Sequence, residues 1–114
     1  MAIKNTKNAD HYIWGENCDG WHLLKSESLS IIQEKMPPAT AERLHYHSKA
    51  QQFFFIVKGT ATFEVNNVIY SVEERNGFHI SANEKHRIFN RTEQDLEFLV
   101  ISEPKSYGDR TNCD

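Results

Sequence analysis

The sequence predicts an all-β domain, either a sandwich or a barrel. Three observations lead there. Apolar residues recur with a period of two rather than 3.6. Asn, Gly and Pro punctuate the chain at short, regular intervals, as turns between strands do. No stretch carries a helical period with caps at its ends.

Leu29 to Met36 is a mixed run, with Leu29, Ile31 and Gln33 on one face and Ile32, Glu34 and Met36 on the other. It ends at Pro37-Pro38, since neither proline can donate to a strand ladder. In the next extended segment Arg43, His45 and His47 share a face, opposite Leu44 and Tyr46. Phe53 to Val57 is aromatic and β-branched without alternation, the pattern of a strand covered on both sides. Lys58-Gly59 turns the chain, and Ala61, Phe63 and Val65 then alternate with polar residues as a half-buried strand does. Asn66-Asn67 suits a tight hairpin, because Asn tolerates positive φ, and Val68 to Val72 returns. Asn76-Gly77 leads into Phe78-His79-Ile80. His86 to Arg91 is a further strand, Thr92 to Asp95 a polar turn, and Leu96 to Ser102 closes the set. One domain is expected over 1–114, with a core at about 28–103, an aromatic N-terminal arm at 1–27 and a polar tail at 104–114.

Length and composition narrow the function. A chain of 114 residues is enough for one domain with a useful core. A net charge of −3 gives no electrostatic reason to expect nucleic acid or an anionic membrane as partner. No apolar run approaches the ~20 residues that cross a bilayer, and residues 1–5 lack the apolar core of a secretion signal. Cys18 and Cys113 are expected as free thiols in a reducing cytoplasm, although chain ends that meet in space would also allow a bridge. No serine sits in a G-x-S-x-G or S-x-x-K frame, and the chain has neither a P-loop nor a dinucleotide fingerprint.

The chemistry concentrates in histidines. His45-x-His47 on a strand projects two imidazoles from one face a few ångströms apart, as two ligands of one metal require. Gln52 stands with four residues between it and His47 and six between it and Gly59; Gln51 takes that place if the loop is one residue shorter. Downstream, Asn76-Gly77 precedes a short strand, and His86-Arg-Ile-Phe-Asn90 follows a polar turn.

This arrangement resembles the two motifs of the cupin superfamily: H-x-H, three or four residues, an acid, six residues and Gly; then Gly, a P-x-G turn and H-x-x-x-N. His45 and His47 match the paired histidines, Gly59 the glycine, His86 the later histidine and Asn90 the asparagine, within a span of about Arg43 to Asn90. The resemblance implies a double-stranded β-helix (jelly-roll) barrel, one divalent transition metal, a homodimer joined through the N-terminal arm, and a small-molecule ligand or substrate. The implied metal ligands are His45, His47, His86 and, in place of the acid, Gln52.

Two departures matter. Gln52 offers a neutral carbonyl oxygen, so an ion there keeps its formal +2 charge, and weaker binding of a more electrophilic ion is expected. The P-x-G turn reads Ser81-Ala82-Asn83, where Asn83 replaces glycine in the left-handed region. The donor set suits Fe, Mn, Ni, Co, Cu or Zn. Imidazole binds a metal only when neutral, so occupancy is expected to fall as pH drops through about 6.5. His79 and Arg43 are the candidate catalytic groups, His79 as a proton donor and Arg43 as a clamp for a carboxylate. The expected function is that of a metal-dependent enzyme, dioxygenase- or isomerase-like; the alternative is a small-ligand binding module without turnover. The motif's usual acid is missing and no clear substitute is visible beyond His79, which weighs against acid–base chemistry.

Overall fold

A computed structural model describes residues 2–113. Twelve strands are formed among the described residues: β1 (Asp10–Trp14), β2 (Cys18–Lys25), β3 (Ser30–Met36), β4 (Thr40–Ala41), β5 (His45–His47), β6 (Gln51–Lys58), β7 (Ala61–Val65), β8 (Val68–Val72), β9 (Gly77–Ile80), β10 (His86–Asn90), β11 (Leu96–Glu103) and β12 (Arg110–Asn112). Among the described residues there is no helix. One sheet runs β1-β2-β3-β11-β6-β9; the other runs β12-β5-β10-β7-β8, with β4 also on β10. This is the expected all-β jelly-roll.

Alternation decides what faces inward. Leu96, Phe98 and Val100 of β11, Phe54 and Ile56 of β6, and Ala61, Phe63 and Val65 of β7 are buried together between the sheets. The Phe54 and Phe63 rings meet across the gap at 5.0 Å. In β6, however, Phe53 and Val57 are 41% and 44% exposed. That strand is covered on one face only, so its apolar run overstated its burial. Its outer face lies in register with Leu99 and Ile101 of β11.

The turns follow their residues. Asn66 and Asn67 both adopt positive φ, at 49° and 69°, and join β7 to β8. Gly59 sits at φ 90°, where an added Cβ would lie 2.9 Å from the Asp95 carbonyl oxygen. Asn83 sits at φ 70°, and its N–H donates to the His47 carbonyl at 2.7 Å, tying the turn before β10 to β5.

The chain ends join the sheets. β1 pairs with β2, and β2 with β3, so the aromatic N-terminal segment widens the first sheet. The polar segment after Pro104 returns as β12, with Arg110 opposite His47 and Asn112 opposite His45. Backbone hydrogen bonds to β5 draw it in, although its composition gives no apolar signal. Cys18 and Cys113 are both free thiols, Cys18 within the core.

Candidate metal centre

His45 and His47 point inward from β5, and His86, the first residue of β10, pairs directly with His45. The three are buried, and one ligand atom of each lies within 4.8 Å of the others. Ring centroids are 4.3 Å apart for His45 and His86, 5.0 Å for His45 and His47, and 5.7 Å for His47 and His86.

Each Nδ1 is already engaged with a backbone carbonyl: that of Arg43 at 2.7 Å for His45, of Asp109 at 3.2 Å for His47, and of Glu84 at 2.8 Å for His86. This fixes the ring orientations and leaves the Nε2 atoms for the shared point, as in histidines that hold a metal. The Nε2 of His86 is buried with no hydrogen-bond partner. So is the Oε1 of Gln52, whose Nε2 donates to Ser102 Oγ at 3.1 Å. Orphaned buried acceptors are costly. Their presence beside three converging imidazoles fits a divalent ion, which would take the free nitrogens and an amide oxygen together. Gln51 lies on the outer face, held by Glu103 and His79, which leaves Gln52 as the inward amide.

Burial favours the neutral imidazoles. It lowers the pKa of His45 to about 3 and of His86 to about 4, with the neighbouring histidines adding to the effect, and it lowers that of His47 too. Protons therefore compete for these nitrogens at a lower pH than the 6.5 of free imidazole.

His45 and His47 open onto a cavity of about 280 Å³ between the sheets, lined also by Gln52, Phe54, Trp14, Tyr12, Tyr107, Arg110, Glu34 and Glu42. Two acids thus enter where the motif's acid is missing. Glu34 projects from the inner face of β3 and accepts a hydrogen bond from Tyr12 Oη at 2.9 Å. Burial first, then the Glu42 charge, raises its pKa to about 8. Glu42 lies 3.5 Å from Arg110 Nη1 and 3.9 Å from His45 Nδ1. Burial raises its pKa to about 7, with Arg110 opposing the rise.

Of the two expected catalytic groups, neither lies in this cavity. His79 is exposed on β9, with Phe78 and Ile80 turned inward on either side, and its Nε2 meets Gln51 Oε1 at 2.9 Å. Arg43 is exposed and precedes β5, outside any strand, so the alternation drawn from His45 does not extend to it. It contributes its carbonyl oxygen to His45, while the cavity's guanidinium comes from Arg110. Glu34 did leave a trace in the sequence, as an acid on the inner face between Ile32 and Met36. Arg110 left none.

Fold and site together define a small jelly-roll barrel with a three-histidine centre. The cupin domain family model matches residues 32–102, and the chain belongs to that family. Among curated proteins, an oxalate-binding protein of Thermotoga maritima is 27% identical over 85 residues, which is 70% of each chain. Among solved structures, a predicted oxalate decarboxylase of Thermotoga maritima superposes with a TM-score of 0.83 at 19% identity, covering 91% of this chain and all of the other. A polyketide cyclase of Streptomyces resistomycificus gives 0.86 at 13% identity, over all of this chain and 86% of its own. Those two likenesses establish the fold alone.

Proposed function

We propose that this cupin is a metal-dependent enzyme that exchanges a proton on a small oxygen-bearing molecule, with the ion held by His45, His47, His86 and the Gln52 carbonyl. The supporting observation is the histidine trio with its carbonyl-tied Nδ1 atoms, two of whose members, His45 and His47, line one cavity with Glu34. A bound divalent ion would polarise a substrate oxygen. The chain itself supplies the rest. Gln52 and the histidines leave the ion its full positive charge, the aromatic wall excludes water, and Glu34 stands as an acid or base with a pKa of about 8, suited to neutral pH. Arg110 partly neutralises Glu42 and is available to a ligand carboxylate. We read the protein as cytoplasmic and as a homodimer. The apolar outer face of β6 and β11 supports the dimer, whereas the expected arm at 1–27 contributes β1 and β2 to the first sheet.

The second reading is a binding module without turnover, favoured by the similarity to a protein named for binding oxalate. Metal analysis of purified protein tests the centre: about one equivalent per chain is expected in the wild type, and much less in His45→Ala, His47→Ala and His86→Ala. Full retention in all three variants would overturn the ligand set. Metal-loaded protein is then incubated with oxalate, glycolate and pyruvate in D2O and followed by NMR and calorimetry. Product or exchange of a carbon-bound hydrogen supports the enzyme; saturable binding with neither supports the binding module.

A further inference from the structure

We infer that Asp109 is a positioning residue of the metal centre, and that the segment around it is a built-in clasp rather than a dispensable C-terminal tail. The inference rests on the proposed ligand role of His47.

Asp109 grips the β5–β6 connection with both carboxylate oxygens. Oδ1 accepts from Ser48 N–H at 3.2 Å and Ser48 Oγ at 2.7 Å; Oδ2 accepts from Lys49 N–H and Ala50 N–H, each at 2.9 Å. These donors follow His47 directly and precede Gln52 by two residues at the nearest, so one carboxylate sets the path between two ligands. Its own carbonyl oxygen accepts from His47 Nδ1 at 3.2 Å, which fixes that ring's orientation.

The clasp is anchored on both sides. Before it, Asp109 N–H donates to the Ser106 carbonyl at 3.0 Å; after it, Arg110, Thr111 and Asn112 pair with β5, and Cys113 N–H donates to the Leu44 carbonyl at 2.8 Å. The same segment carries Tyr107 and Arg110 to the cavity wall. Apart from the bond to Ser106, these contacts join residues about sixty apart in sequence, and they add to the Asn83 bond in holding His47 in place. A carboxylate is needed because every group facing it is a donor.

The experiment measures Zn2+ affinity by competition with a chromophoric chelator, alongside 15N NMR of the histidine rings in metal-free protein. Asp109→Ala should weaken Zn2+ binding about 10- to 100-fold and alter the His47 Nδ1–H signal while leaving that of His86 in place. Asp109→Asn should lose most of the same affinity, because its amide N–H cannot accept from Lys49 or Ala50. It serves also if the alanine variant does not fold. Glu27→Ala breaks the exposed Glu27–Lys105 pair on the same segment and should leave affinity unchanged. Wild-type affinity in both Asp109 variants would overturn the inference. If the wild type itself binds no Zn2+, the proposed function fails. Asp109 is then judged on the metal-free His47 signal alone, and an unaltered signal in Asp109→Ala refutes it.

Discussion

Gly20→Ala should disconnect Tyr12 from Glu34 without substituting either residue. Tyr12, Gly20 and Glu34 lie opposite one another across β1, β2 and β3, and the tyrosine ring crosses the bare glycine to reach the carboxylate. A Cβ at position 20 would stand 2.1 Å from Tyr12 Cζ and 2.5 Å from Oη, so the ring must retreat to the 3.4 Å of ordinary contact. A displacement of that size breaks the 2.9 Å bond to Glu34. With the Glu34 pKa at about 8, the bond joins neutral groups near pH 6 and reaches a carboxylate near pH 10. Burial and the Glu34 charge hold the Tyr12 phenol above its usual range, so it remains a donor throughout. The lost bond should therefore cost about 1 kcal/mol at pH 6 and about 2 kcal/mol at pH 10. By linkage that growing cost equals a further rise of the Glu34 pKa by about one unit. Urea unfolding at the two pH values gives the first quantity, and 13C NMR of the glutamate carboxyls gives the second. Tyr12→Phe, which removes the donor alone, should raise the pKa similarly. A Glu34 pKa unchanged in both variants would refute the bridge.

Two further outcomes follow from the same geometry. Gln52→Glu places a charge where the unpartnered Oε1 stands and should tighten divalent-ion binding by about tenfold or more, about 1.4 kcal/mol, measured by chelator competition; an unchanged or weaker affinity would count against Gln52 as a ligand. Metal-free protein should be most stable near pH 6.5. Below that, the unfolded chain takes up protons that His45, His47 and His86 refuse when folded, so stability falls as pH drops toward about 4. Above it, folded Glu34 still holds a proton that the unfolded chain has released, so stability falls as pH rises toward about 8, by about 1.4 kcal/mol per pH unit for one proton. Melting temperatures flat from pH 5 to pH 9 would contradict both limbs.

Much of the barrel was legible because its strands obey a period of two and its turns use Asn and Gly. The Asn66-Asn67 hairpin and the Asn83 turn are such cases, both found at positive φ. Convergence of His45, His47 and His86 was legible through spacing. What failed was inference from phase beyond a strand's end, at Arg43, and inference from composition, at Phe53 to Val57 and in the segment that forms β12. A one-sided strand and a doubly covered one can share an apolar run when an outer face is itself apolar. A strand held by backbone hydrogen bonds need show no pattern in its side chains.

The division of labour within the chain explains why the motif speaks to metal and not to substrate. His45, His47, Gln52 and His86 all fall inside the 32–102 span that the family shares. Of the residues that give the cavity its shape and polarity, Tyr12, Trp14, Tyr107 and Arg110 fall outside it, brought in by β1, by β12 and by the turn that precedes β12. Glu34 lies inside the span, but its partner comes from β1 and reaches it only because β2 has a glycine at position 20. The histidines can therefore persist while the end strands change, and the same ion would then meet a differently shaped and charged cavity. Barrels of the same fold include a polyketide cyclase and a predicted oxalate decarboxylase, so the fold alone does not set the substrate. Selectivity in this chain should accordingly respond to substitutions at Tyr12, Trp14, Tyr107 and Arg110 more than to any change among the shared motif residues that leaves the metal bound.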